Sequence, residues 1–354
     1  MSDALLARTV HPDRLSDAEV ACWNDLCRTV PAFTTPFLSF PFTRAAAQVF
    51  HGVRVCVVER SGRPVAFFPF QFGSRLNQLL GFGERVGGSL SDYFGIVAAP
   101  DVRLSPERLL ALSGLNAVFF THLDDSQEPY GLSGEQPEIG LRVVVGQDGD
   151  AYWQARRKHD PHFVAETDRR WRKLGNAAGP VRFVFHEADP LPHLDRLIAL
   201  KRIQYAQTGV GDVLADTGAQ TFLKTLAGTD DPLCRGVMTT LYAGDTYVAS
   251  HFGLMCEGTF HYWFPAYNAD LGSLSPGRLL LRAVVGEARQ QGIRRIDLGA
   301  GDSQAKRAFA NEQQAYLRGL WRRSTPQAFV IQAWQSLRWR LQSRAPTPVT
   351  RAAG

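Results

Sequence analysis

The chain has no long hydrophobic run and few cysteines. None of its apolar segments approaches the roughly 20 residues that a membrane-spanning helix needs. The first residues include an acid and lack an apolar core, so a signal peptide is not expected. The cysteines (Cys22, Cys27, Cys56, Cys234, Cys256) are odd in number and form no C-x-x-C pair. A disulfide framework, a structural zinc site or another metal is therefore not expected, and a cytoplasmic setting fits best.

Acidic residues are missing from the last part of the chain. No Asp or Glu follows Glu312, whereas seven arginines do. These seven charges exceed the net charge of +5, so the rest of the chain carries a net charge of −2. A body this close to neutral does not have the composition of a nucleic-acid-binding protein. With 354 residues, 45% of them hydrophobic and 21% charged, the composition is typical of a globular protein with one large or two smaller domains.

Residues 326–354 are predicted to form a basic amphipathic helix followed by a disordered tail. Val330, Trp334, Leu337 and Leu341 form one apolar stripe of this helix. Such a helix can pack on its own domain, which the sequence favours. It can also lie on an anionic membrane surface, so a membrane-peripheral location and contact with a synthase complex stay open.

Two apolar hairpins of similar pattern occur far apart in the sequence. The first has strands Val53–Glu59 and Pro64–Phe70 around Ser61-Gly62, and the second has strands near 237–242 and 247–254 around Gly244. This similarity indicates a weak internal duplication, although hairpins with glycine turns are also common by chance.

The second half of the chain alternates helices and strands. The segment 152–175 is predicted to be a charged helix that Pro161 interrupts, and VRFVFHEA and LPHLDRLIALKRIQYAQTG follow as strand and helix. This order predicts an α/β (α+β) protein in which a mixed β-sheet is flanked by helices.

A further helix is predicted to begin at Ser275 and to end at Gly292. Ser275 fits the N-cap, Pro276 the first helical position and Gly292 the C′ position. One apolar face consists of Leu281, Val284, Val285 and Ala288. The first turn carries Arg278 and no acid, so the positive end of the helix dipole is uncompensated and suits an anion such as a phosphate.

The strands before this helix carry candidate catalytic residues. His251 shares one strand face with Ala249 and Gly253, and it is either a general base or a hydrogen-bonded core histidine. Tyr267 and Asn268 end the next strand and face the helix start. They either orient substrate and donate a proton or simply form a turn.

The Gly-rich turn after the helix carries a second group. Asp297 ends a strand, where ligands tend to bind in α/β folds. Gly299 and Gly301 permit a close approach of the backbone to a ligand. Asp302 is expected to cap the following helix, and Lys306 is expected either to pair with it or to contact substrate. In the first half, Asp92 and Tyr93 either line a cleft between two units or form a loop turn.

Residues 237–309 resemble the GNAT-like acyltransferases named for cellulose biosynthesis (the CelD/BcsL type), which are akin to the FemAB peptidoglycan aminoacyl transferases. The matching segments are VASHFGL, HYWFPAYN, SPGRLLL, QQGIRRIDLGAGD and KRAF. The segments VCVVERSGRPVAFFPF and GGSLSDYFGIV are similar to the N-terminal half of the family, so the resemblance covers roughly residues 35–325.

The resemblance implies two tandem GNAT-like units, with a degenerate unit at 1–148, an acyltransferase unit at 149–325 and the basic tail after it. The catalytic residues would be His251, Tyr267, Asp297 and Lys306. The cofactor-binding residues would be Ser275, Pro276, Gly277, Arg278, Gly299 and Gly301. The substrate-binding residues would be Asp92, Tyr93, Asn268 and Asp302.

The sequence departs from the family pattern at two places. Ala305 stands where the family usually has an aromatic residue before the lysine. The Q/R-x-x-G-x-G/A pyrophosphate loop of ordinary acetyl-CoA-binding GNAT proteins is missing, and residues 272–277 occupy its place. The donor is therefore expected to be acetyl-CoA or another acyl-CoA only on the strength of the family.

These observations predict an acyltransferase that moves an acyl group to a sugar hydroxyl or amine linked to polysaccharide or envelope synthesis. The sequence shows no Ser-His-Asp order and no G-x-S-x-G elbow, which favours direct transfer. One alternative is a FemAB-like aminoacyl transferase that uses aminoacyl-tRNA. The other is a non-catalytic accessory protein of a synthase complex.

Overall fold

The computed structural model describes residues 4–146 and 149–342, with side chains to residue 335. The described residues form two compact units. Of these residues, unit 1 contains 4–138, 205–213 and 315–342, and unit 2 contains 139–146, 149–204 and 214–314. The predicted α/β class, with mixed sheets flanked by helices, is confirmed. The domain boundaries at residues 148 and 325 stay predictions.

The strands follow one another along both units. In chain order they are β1 (Leu5–Val10), β2 (Val53–Arg60), β3 (Arg63–Gln71), β4 (Phe82–Gly83), β5 (Val97–Ala98), β6 (Ala117–Asp124), β7 (Gln136–Val144), β8 (Val181–Val184), β9 (Asp230–Asp231), β10 (Cys234–Ala243), β11 (Thr246–Cys256), β12 (Thr259–Tyr267), β13 (Arg295–Ala300) and β14 (Glu312–Arg322).

The α-helices alternate with these strands. They are α1 (Asp17–Thr29), α2 (Phe40–Val49), α3 (Arg75–Leu80), α4 (Pro106–Ser113), α5 (Gly149–His159), α6 (Pro161–Ala178), α7 (Pro190–Thr208), α8 (Thr217–Ala227), α9 (Pro276–Glu287), α10 (Gln304–Arg307) and α11 (Pro326–Gln342). The predicted break at Pro161 separates α5 from α6, where the Asp160 side chain accepts a hydrogen bond from Phe163 N–H at 2.9 Å and caps α6.

Unit 1 contains an antiparallel sheet in the order β1-β2-β3-β5. The predicted turn between β2 and β3 is confirmed: Ser61 and Gly62 both have positive φ, 52° and 74°, as a tight hairpin turn requires. A second group of strands pairs β6 in parallel with β4 and antiparallel with β14. Trp23 stacks on Phe67 in the core of this unit, with ring centroids 5.0 Å apart.

Unit 2 is built on a mixed sheet in the order β7-β13-β12-β11-β10-β8. Its neighbouring strands are antiparallel except for β12 and β13, which are parallel and are joined through α9. The predicted second hairpin is formed by β10 and β11 around Gly244, whose φ is 53°. The apolar face predicted for α9 is buried against this sheet.

The start and end of α9 follow the sequence signals. Pro276 occupies the first turn, as predicted. The regular helix ends at Glu287, and the chain then continues through a turn to Gly292. This turn closes at Gly292, with Ile293 N–H bonded to Ala288 O at 2.8 Å and Gly292 N–H to Arg289 O at 3.0 Å. These two bonds form a Schellman motif, and Gly292 is its left-handed C′ residue with a φ of 69°.

Candidate active site

The parallel strands β12 and β13 separate after a short paired stretch. Three pairs join them, and the last is His261 with Asp297. Beyond that pair β12 continues to Tyr267 and β13 continues to Ala300. The described sheet of unit 2 therefore opens into a gap at the carboxyl ends of two parallel strands, where α/β folds tend to bind ligands.

A β-bulge on each strand explains the separation. On β12, Phe264 pairs with Phe252 and His261 pairs with Leu254, so that one extra residue lies on β12 between these pairs. On β13 the register also shifts, between Asp297 and Ala300, where it pairs with β7. Bulges bend a strand and increase its twist, so both strands turn at the level where their pairing ends.

The side chain of His251, a residue of β11, reaches the bulge of β12. Its Nε2 accepts a hydrogen bond from Trp263 N–H at 2.8 Å, and its ring stacks on Tyr262 with centroids 4.0 Å apart. The side chain is fully buried, and this burial, followed by the charges of His261 and Lys201, holds its pKa well below the usual range. His251 is therefore a neutral ring with its proton assigned to Nδ1. The predicted role as general base stays a prediction, and the main chain already uses its Nε2 lone pair.

Asp297 holds the bulge of β13. Its Oδ1 accepts a hydrogen bond from Gly299 N–H at 2.8 Å, and Gly299 has a left-handed φ of 70°. Arg142 Nε lies 3.6 Å from Asp297 Oδ2, and His261 Nδ1 lies 3.9 Å from Oδ1. All three side chains are buried. The Arg142 guanidinium thus balances the charge of this carboxylate, and the hydrogen bond from Gly299 fixes the turn beside the gap.

Two lysines donate to main-chain carbonyls in the separated parts of the strands. Lys306 Nζ donates to Ala300 O at 2.7 Å, and Lys201 Nζ donates to Pro265 O at 3.0 Å. Burial, and then the positive charge of Lys306, lowers the pKa of Lys201 to about 8. The prediction named Lys306 and missed Lys201. The sequence feature that could have indicated Lys201 is its position on α7. It follows the buried Leu197 by four residues and therefore lies on the same helix face.

The start of α9 has an unusual backbone and is rich in positive charge. Ser275 is the N-cap residue as predicted, but with a φ of 54° and a ψ of 60° its side chain makes no capping hydrogen bond. Its Oγ instead accepts a hydrogen bond from Arg170 at 2.6 Å. Arg278 lies over the Phe163 ring at 5.0 Å, and burial, followed by the charge of Arg170, lowers its pKa. A strained N-cap and two guanidinium groups at a helix N-terminus suit an anion.

Arg170 was not predicted from the sequence. It lies on α6, about a hundred positions before the helix start, and it also donates to Ser273 O at 3.0 Å. Glu166 accepts a hydrogen bond from its Nε at 2.7 Å, and hydrogen bonds from Arg169 and Arg170 lower the pKa of Glu166 to about 2. One carboxylate therefore accompanies these guanidinium groups at the surface.

Tyr267 and Asn268 lie between β12 and α9. The Tyr267 ring is partly exposed, and a Cβ placed on Gly277 would lie 3.9 Å from it. Asn268 Oδ1 accepts a hydrogen bond from Asp270 N–H at 3.1 Å, and its Nδ2 donates to Tyr247 O at 3.3 Å. Asn268 therefore stabilises the turn, which is one of the two roles predicted for it. Tyr267 adjoins the first turn of α9.

The turn after β13 differs in detail from the expectation. Ser303, rather than Asp302, caps α10 by accepting a hydrogen bond from Lys306 N–H at 3.4 Å. Asp302 forms an ion pair with Arg307. Gly301 has a φ of 99° that strains any other residue, and its N–H donates to Ile139 O at 2.9 Å.

Asp92 and Tyr93 lie in unit 1. The Tyr93 hydroxyl is 2.9 Å from that of Tyr316, and Asp92 lies 3.9 Å from His122. His122 has a left-handed φ of 59° and lies where the register of β6 against β14 shifts. Gly299 of unit 2 also has a left-handed φ and lies where the register of β13 against β7 shifts. The two units thus share a local backbone feature, which agrees with an internal duplication. A substrate-binding role for Asp92 and Tyr93 stays a prediction.

Two concave surfaces are formed by described residues of unit 2. One of about 470 Å³ is lined by Tyr152, Arg156 and Asn311 among others, and one of about 370 Å³ by Trp153, Asp168 and Arg282 among others. Within the described ranges, no group of three or more His, Cys, Asp or Glu side chains is arranged to hold a metal ion.

Comparison with known proteins agrees with this geometry. The chain has the fold of FemX, whose crystal structure it matches with a TM-score of 0.61 and 10% identity over 92% of this chain and 99% of that one. It also matches the C-terminal domain of a putative lysylphosphatidylglycerol synthetase from Agrobacterium fabrum, with a TM-score of 0.52 and 12% identity over 91% of this chain and 98% of that one. No curated protein matches the sequence.

A family model covers the segment that carries most of the site. Residues 162–307 match the acetyltransferase (GNAT) domain family. This range contains the separated parts of β12 and β13, the start of α9, and both lysines. The narrower resemblance to the cellulose-biosynthesis type stays a prediction. Residues 162–307 are therefore similar to the GNAT acetyltransferase domain family, and the chain has a fold like that of FemX.

Proposed function

We propose that unit 2 transfers an acyl group directly from acyl-CoA, with acetyl-CoA as the leading donor, to an amine or hydroxyl of a carbohydrate-like acceptor. The observation that carries this proposal is the gap between β12 and β13, followed directly by the N-terminus of α9. The match of residues 162–307 to the acetyltransferase (GNAT) domain family supports the reaction class. The acceptor class rests on the sequence resemblance alone.

The gap fits the shape and chemistry of an acyl-CoA arm. The pantetheine part of CoA is an extended chain with two amide groups, and a strand edge without a neighbouring strand can pair with such amides. Beyond His261, β12 is no longer paired with β13. The helix that follows β12 has Arg278 in its first turn and Arg170 on its N-cap residue. In our proposal the arm lies along β12 and the pyrophosphate lies at this helix start.

The lysines supply the groups that act on the acceptor. The acceptor amine attacks the thioester carbon, a C–N bond forms, the C–S bond breaks, and CoA leaves as the thiolate, which then receives from the protonated lysine the proton that the acceptor lost. We assign to Lys201 the role of taking the proton from the acceptor, because burial favours its neutral amine and because its Nζ lies at Pro265 O on the separated part of β12. Lys306, whose Nζ lies at Ala300 O of β13, would hold the acceptor or a donor phosphate. Asp297 and His251 would fix the two bulges, and Tyr267 would border the helix start.

Donor binding tests the proposal. Acetyl-CoA, longer acyl-CoAs and tRNA would be titrated into the wild-type chain and into Lys306→Ala while heat release and thermal stabilisation are measured. We expect binding of a CoA species and no competition by tRNA. If no CoA species binds at millimolar concentration, the acyl-CoA proposal fails. If tRNA binds instead, the aminoacyl-transferase alternative replaces it.

A further inference from the structure

A group of large apolar side chains is exposed on two contacting helices of unit 1. On α3, Leu76 and Leu79 are 63% and 83% exposed. On α11, Phe329, Val330 and Trp334 are 55%, 60% and 48% exposed. The two helices lie against each other. These five residues, here called the α3/α11 patch, place apolar side chains in water side by side, which marks an interaction surface.

The exposed face of α11 is not the face that holds the helix in place. Ala328 and Ile331 are buried, and Ile331 packs with Phe82 and Ala117. Val330 and Trp334 belong to the apolar stripe that the sequence favoured for packing, yet both are exposed. The side chains of Leu337 and Leu341, which complete that stripe, lie outside the described residues. Trp334 is half exposed, and its ring also meets Phe82 edge-on with centroids 6.5 Å apart, whereas Phe329 and Val330 are exposed on α11.

Two exposed arginines border the patch. The Arg322 guanidinium is exposed and lies over the Phe329 ring at 5.2 Å, and Arg75 is exposed at the start of α3. Arg318 lies 3.4 Å from Glu138. One acid, Glu135, lines a small groove with Arg322 beside α11. No acidic residue follows Glu312, whereas seven arginines do. The natural counterpart of such a surface is negatively charged.

We propose that the α3/α11 patch docks the protein on the surface of an anionic lipid bilayer. Exposed Leu, Phe and Trp side chains bordered by arginines are the composition of a helix that lies in the membrane interface. Anionic headgroups attract the arginines while the apolar side chains enter the acyl boundary. A nucleic acid would satisfy the arginines but would leave the leucines in water. In the described part of the chain no helix is long and apolar enough to cross a membrane, so the contact is with the surface.

Vesicle sedimentation tests this proposal independently of any acyl transfer. The full chain would be sedimented with phosphatidylcholine vesicles, with and without phosphatidylglycerol. We expect co-sedimentation with the anionic vesicles that weakens with salt. Leu79→Ser/Phe329→Ser should lower partitioning by about tenfold or more. Arg75→Gln/Arg322→Gln should lower it by about fivefold per arginine in anionic vesicles and leave the neutral vesicles unaffected.

A matched control separates the patch from general surface hydrophobicity. Leu6→Ser/Leu191→Ser changes two exposed leucines on β1 and α7, which are not patch helices, and should bind vesicles as the wild type does. The proposal is overturned if the wild type does not sediment with anionic vesicles, or if the patch variant sediments as well as the control. It is also overturned if the patch mediates self-association, seen as a wild-type dimer and a monomeric patch variant without lipid, or if tRNA rather than lipid binds in a patch-dependent way.

Discussion

The main-chain N–H of Trp263 donates a hydrogen bond to Nε2 of the buried His251 across two neighbouring strands, at 2.8 Å. The bulge of β12 leaves an N–H group without its strand partner, and the histidine supplies the acceptor. This pair connects a histidine inside an apolar strand, which the sequence shows, with the separation of β12 from its parallel neighbour, which only the structure shows. His251 thus acts first on the shape of the site.

Protonation of His251 should destabilise the folded protein. Because burial holds its pKa well below the usual range, the unfolded chain binds a proton that the folded chain does not once the pH falls below about 6.5. The contribution of His251 to the free energy of unfolding is therefore fully present at neutral pH. It decreases as the pH falls, by at most about 1.4 kcal/mol per pH unit. Melting temperatures measured between about pH 7 and pH 5 check this.

His251→Gln keeps a hydrogen-bond acceptor but cannot bind a proton in this range. We expect its melting temperature to change less with pH than that of the wild type, even if it is lower at neutral pH. His51→Gln is the control, because His51 is exposed and its replacement should leave the slope unchanged. Equal slopes for wild type and His251→Gln would show that His251 is not held neutral.

A pair of glycine substitutions tests the packing around this histidine. A Cβ on Gly253 would lie 2.3 Å from His251 Cε1 and 2.4 Å from His261 O, so Gly253→Ala must displace the ring or the strand. We expect a loss of stability of about 1–3 kcal/mol. Gly286→Ala, on the exposed side of α9 with no atom within 4 Å of the new Cβ, should stabilise by about 0.5–1 kcal/mol. Shifts of opposite sign in the melting temperatures of the two variants would confirm the geometry. A Gly253→Ala variant with the melting temperature of the wild type would contradict it.

The pH dependence of transfer should report on the two lysines. If the neutral amine of Lys201 takes the proton, kcat/KM rises with pH through an apparent pKa of about 8. Removing the positive charge of Lys306 relieves repulsion, so Lys306→Met should move this rise to higher pH. Lys201→Arg should remove most of the activity, because a guanidinium group stays charged throughout the range.

A matched lysine variant separates this effect from a general change of charge. Lys224→Met removes one positive charge from α8 in the same unit, where Lys224 forms an ion pair with Asp195 at 2.7 Å. The Lys224→Met variant should show the same dependence of kcat/KM on pH as the wild type. A Lys306→Met profile that coincides with the wild type, or a Lys201→Arg enzyme of normal activity, would remove Lys201 from the mechanism.

Charge reversal at the start of α9 should selectively weaken the binding of the acyl donor. Arg278→Glu puts a carboxylate at the positive end of the helix, and we expect the Kd for acetyl-CoA to rise at least about tenfold with little change in melting temperature. Arg289→Glu makes the same charge change in the exposed turn after α9 and should leave the Kd unchanged. Calorimetric titration measures both values, and equal affinities for the two variants would place the phosphates elsewhere.

Local signals in the sequence predicted the elements well. Proline at the first position of α9, glycine at its closing turn and Ser-Gly in the first hairpin each impose a backbone geometry within a few residues. His251, Asp297 and Lys306 were named as candidates because polar residues in apolar strands or after glycine turns are conspicuous, and their roles stay predictions.

The remaining features depend on contacts between distant segments. Arg170 reaches Ser275 from another helix, and Lys201 reaches Pro265 from a helix on a different part of the chain. The partner of Asp302 also could not be chosen in advance, because Lys306 and Arg307 follow it at similar spacing. Neither bulge is visible in the alternation of side chains. The gap that carries the proposed function therefore emerges only from the three-dimensional register.

Hydrogen–deuterium exchange with and without acetyl-CoA tests the central claim most directly. We expect the donor to slow exchange in the separated part of β12, residues 262–267, and in the first turn of α9, residues 276–279. Exchange in β1 and β2 of unit 1 should stay unchanged and serves as the internal reference. If acetyl-CoA protects other segments while these two are unaffected, the gap between β12 and β13 is not the donor site and the account is wrong.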